Sequence, residues 1–177
     1  MPILAGATDR TRSRVSALFV VVAASCCGCG DGGTCPEQGY ALEQPLEAHA
    51  CGHVADGPFE TVAAAPTPAG APELRNTHVA YTVELLPDGD AYRGFVTFRP
   101  RSTAAFVFFL DREPPLQVAA PDGSELCAAA VRSTTDTCED LARADFYDLE
   151  RLEVYTLALG PIDAAEVLVI VEAKDEI

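Results

Sequence analysis

The sequence predicts an all-β protein, an antiparallel β-sandwich of about seven to eight strands behind an irregular N-terminal segment. Three observations predict it. From Thr77 onward, short apolar segments alternate with turn residues. No long helical period runs through that region, and Pro36, Pro45, Pro58, Pro66, Pro68 and Pro72 interrupt every candidate helix before it. The 177 residues suit one domain plus a short processed or flexible segment.

Taken in order, residues 1–14 are polar and carry Arg10, Arg12 and Arg14, and Val15 to Ser25 is an uncharged run of 11 residues. A cationic start, a short apolar run and then small residues make a secretory signal, and the run falls short of the roughly 20 residues that span a bilayer. The expected organisation is a signal peptide over 1–25, a Gly/Cys/Pro-rich tether and irregular segment over 26–58, and the sandwich over 59–177.

The end of the apolar run, Val22-Ala-Ala-Ser-Cys26, resembles the lipobox of bacterial lipoproteins, with Ala23 where that family usually has Leu. The resemblance implies that Cys26 is diacylated, becomes N-terminal and holds the chain to the cell envelope; each buried CH₂ contributes about 0.8 kcal/mol to such an anchor. Cys27 follows instead of Asp, which resembles the pattern sorted to the outer membrane, facing periplasm or exterior. The stretch Cys27 to Pro36 contains Gly28-x-Gly30-x-x-Gly33, the letters of a dinucleotide loop, but without a preceding strand and a following helix it reads as a flexible tether.

Six cysteines remain after Cys26, and in an exported chain an even number indicates disulfides. Cys127 with Cys138 is the first expected pair, because they flank the polar loop Arg132 to Thr137; Cys35 with Cys51 is the second. The spacings of Cys27, Cys29, Cys35 and Cys51 do not make a zinc ribbon.

Within the body, a short helix is expected around Tyr40 to Glu47 and a first strand at Phe59 to Ala63. His78 to Leu86 and Tyr92 to Phe98, joined by Pro87-Asp-Gly-Asp90, read as a hairpin. Thr103 to Leu110 is apolar enough to be buried on both faces. Leu116 to Ala120 leads through the turn Pro121-Asp-Gly-Ser124 into Glu125 to Val131, and one helical turn is allowed within Cys138 to Arg151. Leu149 to Leu159 and Glu166 to Glu172 close the chain. The strand order, with Tyr155-Thr-Leu157 and Val167 to Val171 carrying the likeness, resembles the jelly-roll sandwiches appended to secreted bacterial enzymes; fold likeness does not fix function.

Charge narrows the partners. Arg10, Arg12, Arg14 and Asp9 precede Cys26, so the remainder holds 9 basic and 26 acidic residues, a formal −17. Such a surface opposes nucleic acid, whose binding depends on basic residues displacing counterions from phosphates. It also opposes anionic membranes, so attachment to a membrane requires the lipid at Cys26.

No nucleophile elbow or phosphate loop stands in the context it needs. His49 and His53 are four apart, one face of a helix, but Gly52 between them and Pro58 beyond argue against a helix there. His53 with Asp56, joined by His78, is the candidate metal set. Asp88 and Asp90 lack the pattern of a calcium loop and read as a turn. The leading expectation is a non-enzymatic envelope lipoprotein acting as a binding or accessory module for an envelope protein, with no cofactor; the alternative is a periplasmic metal-binding protein or metal-dependent enzyme using His53 and His78.

Overall fold

Burial follows side-chain parity along the strands of the computed structural model, which describes residues 35, 38–113, 115–134 and 138–175. The signal-like segment, Cys26, Cys27 and Cys29 lie outside the described residues. One helix, α1 (Gln44–Asp56), is followed by β1 (Phe59–Ala63), β2 (Glu73–Leu74), β3 (Ala80–Glu84), β4 (Leu86–Asp88), β5 (Ala91–Phe98) and β6 (Ala104–Leu110). Then come β7 (Leu116–Ala119), β8 (Glu125–Leu126), β9 (Ala130–Ser133), β10 (Arg143–Leu149), β11 (Tyr155–Ile162) and β12 (Glu166–Ala173). No helix among the described residues is long and apolar enough to cross a membrane.

The strands form two packed sheets. Sheet A has the order β1-β3-β12-β6-β10-β9, and sheet B the order β2-β5-β11-β7-β8 with β4 paired to β5. The inner orders β3-β12-β6-β10 and β5-β11-β7-β8 are those of a jelly roll, the chain passing repeatedly between sheets. The expected all-β sandwich is therefore present, with two departures. Short additions at β1, β2, β4 and β9 raise the strand count above the expected seven to eight, and β1 with β3 and β2 with β5 pair in parallel, so both sheets are mixed.

Two apolar layers hold this together. Between the sheets lie Tyr81, Val83, Phe98, Phe106, Phe108, Leu157, Val169 and Val171, among others. On the outer face of sheet A a second cluster joins Ala80, Val107, Phe109, Phe146 and Ile170 to Leu46 and Ala50 of α1 and to Leu141. Residues 106–109 of β6 thus send successive phenylalanines and Val107 into opposite layers, which is why that strand reads as continuously apolar. At roughly 25 cal/mol per Å² of apolar area removed from water, a Phe or Leu buried in either layer contributes about 1.5–3 kcal/mol.

The helix is longer and later than the sequence suggests. Pro45 occupies its first turn, where no N–H is required, and Glu43 precedes it in extended conformation. Gly57, at φ 75°, ends it by donating its N–H to the His53 carbonyl. The expected hairpin also divides: β4 and β5 make the tight turn at Gly89, while β3 belongs to the other sheet. The Asp122 carboxylate accepts the Ser124 N–H at 2.9 Å in the expected reversal between β7 and β8. Glu125 to Val131 is split between β8 and β9, Cys138 to Arg151 supplies β10, and Leu152 at φ 67° separates β10 from β11.

The four expected cysteines are oxidised, but in a different arrangement: Cys35 bonds Cys127 and Cys51 bonds Cys138. Cys127 precedes β9 while Cys138 lies beyond its far end, in the connection to β10. The four residues of β9 alone extend roughly 13 Å, more than a disulfide can bridge. Instead the Gln38 N–H donates to the Ala129 carbonyl at 2.7 Å, which lays the N-terminal segment beside Cys127, and α1 brings Cys51 over Cys138. The bridges span 92 and 87 residues, each worth about 4–5 kcal/mol in the chain-entropy model, less together because the loops overlap.

One charge lies deep in the sandwich. Asp145 of β10 is fully buried; Arg143 Nε donates to its Oδ1 at 2.6 Å, while Oδ2 has no hydrogen-bond partner among the described residues. Burial pushes its carboxyl above the ordinary range, against the opposing pull of Arg143.

Two predictions follow from these bonds. Non-reducing proteolysis should release peptides joining Cys35 to Cys127 and Cys51 to Cys138; a peptide joining Cys127 to Cys138 would refute this pairing. Because the folded state holds the Asp145 proton more tightly than the unfolded state, wild type should lose stability relative to Asp145→Asn as pH rises from about 4, the ordinary carboxylate value, towards neutrality. Urea midpoints measured across that range check the sign, and a difference independent of pH would contradict it.

Candidate metal centre

Three elements converge at one corner of the outer face of sheet A. His49 and His53 are a helical turn apart on α1, so their side chains lie on one face. His78 precedes β3 with φ 61°, a left-handed backbone that His adopts more readily than most residues, and its N–H donates to the Val171 carbonyl at 3.1 Å. Glu172 of β12 has the parity of Ile170 and so faces α1 rather than the inter-sheet core.

The donor atoms of His49, His53, His78 and Glu172 all lie within 4.8 Å of one another. His49 Nε2 is 3.1 Å from His78 Nδ1 and 3.2 Å from His53 Nε2. Glu172 closes the group: one carboxylate oxygen is 2.5 Å from His78 Nδ1 and 3.9 Å from His49 Nε2, and the other is 3.6 Å from His53 Nε2. Four donors placed tetrahedrally about an ion at 2.0–2.1 Å stand about 3.3–3.4 Å apart, and most of these separations bracket that value.

Hydrogen placement points the same way. His53 Nδ1 lies 2.8 Å from the Gly57 carbonyl, which can only accept, so Nδ1 carries the hydrogen and neutral His53 turns the lone pair of Nε2 towards the cluster. This is the usual arrangement around metal-ligating histidines, whose second nitrogen donates to a carbonyl or carboxylate. Among the neutral rings, if His78 donates Nδ1–H to Glu172 and His49 donates Nε2–H to His53, two N–H groups face each other across 3.1 Å. Neutral His49 with its hydrogen on Nδ1 avoids that clash and turns a second lone pair towards the cluster.

Burial makes the Glu172 carboxylate a strong attractor of positive charge, and three imidazole nitrogens stand at it. The Glu172 side chain is fully buried, and a buried carboxylate without a compensating cation costs several kcal/mol. The three imidazoles are only partly buried. A depression of about 290 Å³ bordered by His49, Gly52, His53 and Gly57 gives solvent access to the group. The Cys51–Cys138 bond, placed between His49 and His53 in the helix, fixes α1 against the sheet side that carries Glu172.

Of the residues expected at a metal set, His53 and His78 meet. Asp56 does not join them; it stands exposed at the end of α1, on the rim of the depression. His49, set aside because Gly52 and Pro58 argued against a helix, is a full member. Pro58 falls beyond Gly57, where α1 has already ended, and one glycine costs a helix only about 1 kcal/mol, which packing on sheet A offsets. Glu172 was missed: it stands at the end of Val167-Leu-Val-Ile-Val171 and reads as a strand terminus, although a carboxylate inside a strand buried on both faces is itself a signal of a charged partner. No protein-family model matches this chain, and no curated protein matches it in sequence.

Proposed function

We propose that this protein is an exported metal-binding protein, holding a late first-row divalent ion, zinc or copper(II), between α1 and sheet A and attached to the cell envelope through a lipid on Cys26. The observation that carries the reading is the fully buried Glu172 carboxylate facing three imidazole nitrogens. Imidazole and carboxylate donors suit zinc and copper, and affinity for such donors rises to a maximum at copper(II). Four protein donors complete a tetrahedral shell, the pattern of a bound or carried ion, whereas catalytic zinc keeps one position for water. Binding is therefore favoured over catalysis, and the reading adopted is the metal-binding alternative, extended from His53 and His78 to His49 and Glu172.

Export is supported by the cationic and apolar leader and by two disulfides, which persist in oxidising compartments. The lipobox-like Val22 to Cys26 supports the anchor, and the acidic surface favours local enrichment of cations.

Calorimetric titration of metal-free protein should give one equivalent of zinc or copper(II). His49→Ala, His53→Ala, His78→Ala and Glu172→Gln should each weaken it by about 100-fold or more, and Asp56→Ala should leave it unchanged. At metal 1,000 times above Kd, wild type should gain about 4.1 kcal/mol of stability. Wild-type affinity retained in the His78→Ala and Glu172→Gln variants would reject the site. Separately, Cys26→Ala should move the protein from the detergent to the aqueous phase; partitioning unchanged from wild type would reject the anchor.

A further inference from the structure

A second site is built at the end of the sandwich where β2 and β5 finish. Its walls are Arg75, Asn76 and Thr77 on one side and Arg99, Arg101 and Ser102 on the other, and the buried rings of Phe98 and Phe106 form its floor. Three guanidinium groups around one cleft are notable in a chain of net charge −15, in which Arg and Lys together number 12.

The charges are not internally cancelled. Arg99 has Glu73 at 4.0 Å, but among the described residues neither Arg75 nor Arg101 has a carboxylate within that distance. Arg101 instead donates to the Asn76 side-chain oxygen at 3.2 Å, linking the two walls. A guanidinium held by a neutral acceptor keeps its full charge and its remaining N–H donors for a ligand.

The backbone of both walls is fixed before any ligand arrives. The hydroxyl of fully buried Tyr81 accepts the Asn76 N–H at 2.9 Å and donates to the Asn76 carbonyl at 3.1 Å, pinning the first wall. On the second, the Arg101 carbonyl accepts from Arg151 Nε at 3.0 Å and the Pro100 carbonyl accepts the Leu152 N–H at 2.8 Å. What association still has to order is the arginine side chains, not the loops that carry them.

We propose that this cleft binds a small oxyanion, a phosphate or a carboxylate group, through Arg75, Arg99 and Arg101 with the hydroxyls of Thr77 and Ser102. Its volume of about 160 Å³ lies below the roughly 300–1,000 Å³ of drug-sized ligand pockets, which suits a single small anionic group rather than a polymer. Guanidinium forks match the paired oxygens of both groups.

The test is a titration of the full-length, metal-free protein with inorganic phosphate at low ionic strength, followed by ¹H–¹⁵N spectra of amides and arginine side chains. Saturable shifts should localise to residues 75–77 and 99–102. Arg75→Gln with Arg101→Gln should weaken binding at least tenfold at an unchanged melting temperature, while Arg93→Gln, in the ion pair with Asp88, should not affect it. Shifts that chloride reproduces at equal ionic strength, or that survive the double substitution, would overturn the site. Vesicles of phosphatidylglycerol separate a free anion from a lipid headgroup: phosphate binding without sedimentation on vesicles supports the small-anion site, and sedimentation without phosphate binding overturns it.

Discussion

Sheet A is apolar on both faces, and everything peripheral to the sandwich answers to that constraint. Sheet B covers the inner face through Phe98, Leu157 and their neighbours. The outer face, with Val107, Phe109, Phe146 and Ile170, would stand open to water without α1 and the segments around Ala129 and Leu141. A 13-residue helix with no side-chain cap is marginal by itself, so its position has to come from tertiary bonds. The two disulfides supply them at opposite places: one ties the approach to the helix to the β8–β9 connection, the other ties the middle of α1 to the β9–β10 connection.

The candidate metal centre is a consequence of that cover. A helix laid across β12 brings its His49 and His53 face over whatever outward-facing residue β12 offers at that level, and the residue there is Glu172. An apolar residue at the same position would extend the second core by one side chain and stabilise the fold more cheaply than a buried carboxylate. The carboxylate, together with the left-handed backbone that holds His78, sets this corner apart from a packing solution and gives it the character of a binding site.

What the residues disclosed depended on range. Alternation and turn chemistry are local, so β1, β6, β7 and β12, and the reversal at Asp122, could be read from the chain, and the double-sided burial of β6 followed from its unbroken apolar run. Pairing across sheets is not local. The cysteines at 127 and 138 are near in sequence yet lie beyond opposite ends of β9, so proximity along the chain suggested the wrong partner. The histidines show the same division: the four-residue spacing of His49 and His53 was visible, but the helix that makes it meaningful is stabilised by sheet A, and Glu172 arrives from more than 90 positions beyond His78.

The division of labour between sulfur and metal bears on how an ion is held. In small metal domains the ion supplies the folding energy, so release and unfolding are one event. Here the sandwich has an extensive aromatic and aliphatic core, and α1 is already fastened covalently between its two ligating histidines. On the proposed reading, losing the ion would leave the donors close together and the helix in place. Binding energy would then go to affinity rather than to assembling the site, and the exposed edges of His49 and His78 would leave a route for exchange. A centre of this kind would take up and give back an ion without passing through an unfolded state, which would suit the proposed binding role as a carrier or buffer better than a structural clasp.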